Sequence, residues 1–256
     1  DPTKHFRGHV ARGGFFPNGT VAAHNQGRVF TIGARSPSKT IWSSQTGIAD
    51  LVVAPQANLV VISTNDGRIF GRNIISGEEV FSQDWKGHAH GVAVNSTGSR
   101  VAVWDRNGNS DSEETKTLRI VDTSTRKFIS QKMAGRAWDV VFLDKLDRVV
   151  AATEPGTITV FPTDQPDNGV PLLPWKQDQY ISGIRLSVTP ECDTLFATLN
   201  GVVMRYSLPD YQSQAISPNG VIGQAYQYSA LSATPQKGGF VLASGVGTGK
   251  ENLACF

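Results

Sequence analysis

Cysteine is almost missing from this chain: two residues among 256, too few for a disulfide framework. Charge is sparse too. Charged residues make up 18% of the sequence, against about 25% in an average globular chain, and they balance to a net +2. No cluster of Lys and Arg stands out, which argues against a partner held by phosphate electrostatics and so against nucleic acid. No apolar run approaches the ~20 residues a membrane-spanning helix needs. Apolar residues at i, i+3, i+4 and i+7 are also absent, so amphipathic helices are not expected. What is plentiful is glycine (26 residues), proline (13) and aromatic side chains (9%). All-β barrels and propellers often use roughly 200–250 residues as one domain, and residues 1–256 are read here as one.

A repeat organises the sequence. Its unit is an apolar strand, a turn with Pro, Asn or Gly, a second apolar strand, a polar turn and two more strands. The second strands begin at Thr20-Val-Ala-Ala, Leu59-Val-Val-Ile, Arg100-Val-Ala-Val, Arg148-Val-Val-Ala, Thr194-Leu-Phe-Ala and Gly239-Phe-Val-Leu. Third strands follow at Arg28-Val-Phe-Thr, Arg68-Ile-Phe-Gly, Leu118-Arg-Ile-Val, Thr157-Ile-Thr-Val, Val202-Val-Met-Arg and Asn252-Leu-Ala-Cys. Short β-branched and aromatic runs bounded by turn residues are strand signals. A four-stranded unit of about 40–45 residues is the period of a propeller blade. The expectation is all-β: a six-bladed β-propeller of four-stranded blades. The sixth unit runs out after three strands, and Thr3-Lys-His-Phe-Arg precedes the first. That N-terminal segment is expected to supply the missing outer strand, closing the ring and covering an exposed edge.

The residues also carry a resemblance at superfamily level. Ile120-Val-Asp-Thr-Ser-Thr-Arg-Lys-Phe-Ile resembles the strand–turn–strand of YVTN-type repeats. Gly87-His-Ala-His-Gly-Val-Ala-Val-Asn resembles the Gly-His opening of a WD-repeat blade, and Gly27-Arg-Val-Phe is similar to a quinoprotein-type blade. The resemblance spans nearly the whole chain and implies the propeller fold. The recurring Trp-Asp end of WD repeats is not in place, because Trp104-Asp105 and Trp138-Asp139 occupy other blade positions. A shared fold does not transmit a function in any case.

Equivalent blade positions converge on a propeller axis. Superposing the six units puts Arg12, Asp50, His90, Asp139, Ser182 or Gly183, and Ser229 just before each innermost strand, on what we term the top face. Imidazole beside carboxylate can place a general base or a metal ligand, and Arg12 could hold a carboxylate or phosphate group. His90, Asp50, Asp139 and Arg12 are therefore the candidate catalytic set; the plain alternative is a solvated channel. His24, Asn65, Trp104, Asp105 and Glu154 fall at or near the ends of second strands and are expected to rim that face. His88 shares a strand side with His90. His24, His88, Trp104 and Glu154 are the candidate ligand-binding residues, and the His-x-His pair with Asp50 or Asp139 is a candidate zinc site.

In the longest insertion, oxygen-bearing residues alternate at Asp105, Asn107, Asn109, Asp111 and Glu113. This is the ligand spacing of a calcium loop. Gly108 comes early for its sharp turn, and Lys116 stands where a closing Glu belongs, so a solvated turn is the alternative. Gly245-Val-Gly-Thr-Gly-Lys250 lacks the spacing and the following Ser or Thr of a phosphate loop and reads as a strand connection. Cys192 and Cys255 are read as unbonded thiols. Trp42, Trp85 and Trp175 recur near outer strands as packing residues. Two glycosylation triplets, Asn18-Gly-Thr20 and Asn95-Ser-Thr97, together with a start at Asp1, lean towards a secreted or lumenal protein.

Two functions follow. The first is a monomeric binding module taking a small molecule or a protein at the top face. The alternative is a small propeller enzyme, a hydrolase, lyase or isomerase, using the axial ring. A quinone-dependent dehydrogenase is weaker, since residues to hold that cofactor are unassigned.

Overall fold

Short strands closed by tight turns build the chain as a series of antiparallel meanders. The computed structural model describes residues 13–16, 18, 20–25, 27–33, 36–85, 90–105, 112–154, 156–166, 169–172, 184–199, 202–216, 230–233, 240–246 and 250–255. The chain divides into two units, Asp1–Ser130 and Gln131–Phe256.

The first unit carries three four-stranded sheets, each in sequence order. Sheet 1 comprises β1 (Gly13–Phe15), β2 (Val21–Asn25), β3 (Arg28–Gly33) and β4 (Ser36–Ser43). Sheet 2 comprises β5 (Ile48–Ala54), β6 (Leu59–Thr64), β7 (Arg68–Asn73) and β8 (Glu79–Asp84). Sheet 3 comprises β9 (His90–Val94), β10 (Arg100–Asp105), β11 (Thr117–Asp122) and β12 (Phe128–Lys132), the last extending two residues past the unit boundary.

The second unit begins with sheet 4: β13 (Ala137–Leu143), β14 (Arg148–Thr153), β15 (Thr157–Pro162) and β16 (Val170–Leu172). Sheet 5 follows with β17 (Arg185–Val188), β18 (Thr194–Leu199), β19 (Val202–Ser207) and β20 (Gln212–Ala215). Sheet 6 has three strands among the described residues: β21 (Ala230–Ala233), β22 (Phe240–Val246) and β23 (Lys250–Cys255). The second and third strands of all six units fall where the repeat places them. The segment 3–7, expected to complete the sixth unit, lies outside the described residues.

The repeat is also written in the backbone. In sheets 2 to 5 the first hairpin contains a residue at positive φ: Asn58 (49°), Gly98 (71°), Asp147 (50°) and Cys192 (58°). Asn and Asp tolerate this left-handed conformation better than other side chains, so their use at the turn is chemically consistent. In sheets 2 and 4 the turn is a single 3-10 turn, Pro55–Ala57 and Asp144–Leu146, ended by that residue.

Packing explains why the central strands read as unbroken apolar runs. A strand covered on both faces cannot alternate apolar with polar. All six residues of β6 are buried. Val60 and Ile62 join Phe16, Ala22 and Val29 of the sheet 1 region, while Leu59 and Val61 pack with Val92, Val101 and Val103 of sheet 3. In the second unit, Val150, Ile158 and Val160 of sheet 4 share a core with Leu186, Leu195, Ala197 and Tyr206 of sheet 5. Among the described residues no helix is long and apolar enough to cross a membrane.

Candidate functional site

Asp50 and Asp139 carry the clearest geometry. Each is the third residue of its strand rather than the residue before it, which corrects the sequence register. A β-bulge causes the shift: pairing slips between Ile48 and Asp50 in sheet 2, and between Ala137 and Asp139 in sheet 4. An extra residue, Ala49 or Trp138, is accommodated, and the bulge re-aims the side chain that follows. Asp50 Oδ1 accepts the Leu51 amide at 3.0 Å and its Oδ2 accepts the Val92 amide of sheet 3 at 3.1 Å. Asp139 repeats this with the Val140 amide at 3.0 Å and the Leu186 amide of sheet 5 at 3.0 Å. Both carboxylates are buried. Each therefore ties the first strand of one sheet to the first strand of the next. Neighbouring bonds reinforce the joints: Ser63 Oγ donates to the His90 carbonyl at 2.7 Å, and Arg185 Nη1 to the Trp138 carbonyl at 3.2 Å.

His90 opens β9, pairs in register with Asp105 and is only 2% exposed. Neither ring nitrogen meets hydrogen-bond geometry with a described residue, although the backbones of Trp85 and Trp104 lie near enough to favour its protonated form. Its pKa is lowered by burial, against the opposing pull of the Asp105 carboxylate, and Arg119 lowers it further. The ring meets Trp85 edge-on, with centroids 6.0 Å apart. Trp85 in turn lies beneath the Arg119 guanidinium, 5.4 Å from its ring centre, and Arg119 pairs with Glu114 at 2.5 Å.

The expected rim divides. His24 and Trp104 are buried rather than exposed, since the ends of β2 and β10 turn these side chains into the core. Trp104 lies over Gly91, its cross-strand neighbour, where only a missing Cβ leaves room for the indole. His24 sits near Asp50; burial lowers its pKa and that carboxylate opposes the shift. Glu154 is half-buried just beyond β14, where its Oε1 accepts from Arg136 Nη2 at 2.6 Å. The Glu154 amide also donates to the Arg136 carbonyl at 2.9 Å, so the loop entering β13 is fastened to the one leaving β14. Arg136 further covers Trp138, 5.1 Å from its ring centre.

Arg12, His88, Asn107, Asn109 and Asp111 lie outside the described residues, as do Trp175, Ser182, Gly183 and Ser229. Asp105, the first residue of the expected calcium loop, is buried at the end of β10. Among the described residues no group of three or more His, Cys, Asp or Glu is placed to hold a metal. Cys192 is an unbonded buried thiol whose pKa burial raises.

The bulge-and-tie pair was not read from the sequence, yet it leaves a trace there. Ala49-Asp50-Leu51-Val52 and Trp138-Asp139-Val140-Val141 share the pattern of any residue, Asp, aliphatic, Val at the same place in two units. Ser63, Arg119 and Arg136 went unnoticed because each is a single polar residue without a motif.

No protein-family model matches this chain, and no curated protein matches it. Solved structures do. One is a chain of the "Crystal Structure of Mitotic Checkpoint Complex", with TM-score 0.75 at 8% sequence identity; the match covers 96% of this chain and 74% of that one. With the antiparallel sheets described above, this likeness shows a β-propeller fold.

Proposed function

We propose that residues 1–256 form one six-bladed propeller of four-stranded blades, closed by the N-terminal segment, and that it is a binding module for a protein partner. The proposed binding face is the one formed by the turns between second and third strands and the loops that enter first strands. One observation carries the choice of binding over catalysis. Asp50 and Asp139, the carboxylates that the sequence pattern singles out for acid–base work, each accept two backbone amides and so bond sheet to sheet. Both oxygens of each buried carboxylate are already engaged in these joints, which leaves little of either group to meet a substrate. His90, at 2% exposure, is closed to a substrate. Polar loop residues reach solvent in each unit: Thr46, Asn65 and Asp66 in the first, and the half-buried Arg136–Glu154 pair in the second. Such a surface suits recognition. The matched chain comes from the crystal structure of a complex, and the likeness supports the same general use here.

The test is affinity isolation from native extract with the wild-type chain and with a charge-reversed rim, Asp66→Lys with Glu154→Lys. A partner retained in stoichiometric amount by the wild type and lost by the rim variant supports the reading. Turnover of a small ester or lactone, abolished by His90→Ala in a variant that still folds, would overturn it in favour of the enzyme.

A further inference from the structure

We propose a second recognition site, outside that face, on the outer half of sheet 5: an anion-binding groove for an extended acidic peptide. It extends the binding-module reading and stands on separate residues. The groove is lined by Arg205 and Ser207 of β19 and by Gln212, Ser213 and Gln214 of β20. Register explains the lining. Arg205 pairs with Gln214 and Ser207 with Gln212, so these four share one face of the two strands, while Tyr206 between them turns into the core.

Arg205 departs from its counterparts. The amides that receive the Asp50 and Asp139 ties, Val92 and Leu186, set sheets 3 and 5 in register with each other. Following the pairing outward places Ile120 in sheet 3 and Phe161 in sheet 4 at the position of Arg205, and both are buried. Sheet 2 also has an arginine there, Arg72. Its Nη1 donates to the Gly77 carbonyl at 2.9 Å, and its cross-strand neighbour is acidic, Glu79. In sheet 5 the neighbour is the neutral Gln214, and the Arg205 side chain has no hydrogen bond or ion pair with any described residue. The Nε of both arginines is buried without a partner, but only Arg72 has another nitrogen engaged.

A guanidinium with no counter-ion among the described residues, partly shielded from solvent, is prepared to receive a planar anion through paired N–H donors. Among the described residues, the rest of the lining consists of hydroxyls and amides and contains no carboxylate. Its outer wall, β20, is exposed along its whole length and ends the strand order of its sheet. An edge strand can accept an extended peptide, whose alternate side chains then face one way. The occupant that satisfies both features is an extended segment with Asp or Glu at alternate positions.

The experiment is fluorescence polarisation on the full chain with a labelled decapeptide of alternating Glu and Thr, compared with the same peptide carrying Gln for Glu. The Glu peptide is expected to bind about tenfold more tightly or better, the preference due to one charge-assisted bidentate contact. Arg205→Gln should erase that preference, while Arg72→Gln, at the matching position of sheet 2, should keep it; melting curves confirm that each variant folds. Equal binding of the two peptides, or a preference unchanged in Arg205→Gln, overturns the groove. Partner retention sensitive to the Asp66 and Glu154 substitutions would survive that result, so the two sites fail independently.

Discussion

Replacing Asp50 with alanine tests the sheet-to-sheet tie directly. The substitution removes the acceptor of two buried amides, Leu51 and Val92, and leaves both without a partner in a closed joint. A buried donor left unsatisfied costs about 1–3 kcal/mol. Two such donors give an expected loss of about 2–5 kcal/mol, with relaxation of the bulge keeping the figure below the upper end. For a chain of this size each kcal/mol moves the midpoint by about 2–4 °C, so the melting temperature should fall by about 5–15 °C. Asp50→Asn is the sharper comparison. It keeps the shape and one acceptor oxygen, but turns an amide donor towards an amide donor, so it should recover no more than part of the loss.

The assay is thermal unfolding followed by circular dichroism, with hydrogen exchange measured at the Val92 amide. Exchange at Val92 should quicken in both variants, whereas amides on the far side of sheet 2 should be slowed or hastened only with global stability. Asp139→Ala should behave in the same way, reporting at Leu186. An Asp50→Ala protein that melts within about 1 kcal/mol of wild type, with Val92 still protected, would refute the tie. Asp50 and Asp139 would then be open to the acid–base chemistry that the sequence suggests for them.

Further expectations concern packing, closure and pH. Gly91→Ala forces a Cβ into the Trp104 indole and should destabilise by about 1–3 kcal/mol, read as a drop in melting temperature; Gly77, with nothing within 4 Å of the position its Cβ would take, should show only the smaller cost of its positive φ. Deleting residues 1–8 should lower the melting temperature severely if the N-terminal segment closes the last blade, and an unchanged melt would count against closure. Burial lowers the pKa of both His24 and His90. The unfolded chain therefore takes up protons at these positions below about pH 6.5 while the folded chain resists, so stability should decline as pH falls through that region, by at most about 1.4 kcal/mol per pH unit for each histidine. A His24→Leu, His90→Leu double variant that keeps the same acid limb would disprove this assignment. At the other extreme Tyr206 is pushed up to about 12 by burial. Its ionisation in the unfolded chain from about pH 10 should erode stability towards pH 12, visible as delayed tyrosinate absorbance.

Inner and outer strands differed in how plainly the sequence announced them, and burial is the reason. Leu59–Thr64 and Arg148–Thr153 are covered on both faces, so their apolar runs stand out against the turns around them. Outer strands such as Ser36–Ser43, Val170–Leu172 and Gln212–Ala215 are largely polar or carry proline, because the edge they form faces water. Their existence followed from the period of the repeat more than from their own residues. The candidate site was legible as a set of positions but not as a set of roles. Asp50 and Asp139 were picked out by recurrence; the bulges beside them, which aim their carboxylates at a neighbouring sheet, have no signal beyond one aliphatic-rich pattern. His24 and Trp104 sit at strand ends where the sequence pattern suggests exposure, and neighbouring sheets bury them instead.

A repeat conserves geometry between its units, so shared positions report mainly on how sheets are joined. Asp50 and Asp139 illustrate this: the same residue, bulge and pair of amides occur in two different units, and the common element is a structural joint. Information about function is then concentrated where one unit departs from its siblings at a matched position. His90 takes the place of those two aspartates at the head of sheet 3, buried with neither nitrogen in hydrogen-bond geometry with a described residue. Arg205 stands where sheets 3 and 4 bury an isoleucine and a phenylalanine and where sheet 2 has Arg72 bonded to the Gly77 carbonyl, and it faces an exposed edge strand. An imidazole sealed from solvent can bias stability with pH but cannot meet a ligand without rearrangement of its sheet. A guanidinium in an open groove meets one as it stands. The physical difference between these two departures, access, is what places recognition at Arg205 and leaves His90 a pH-sensitive part of the core.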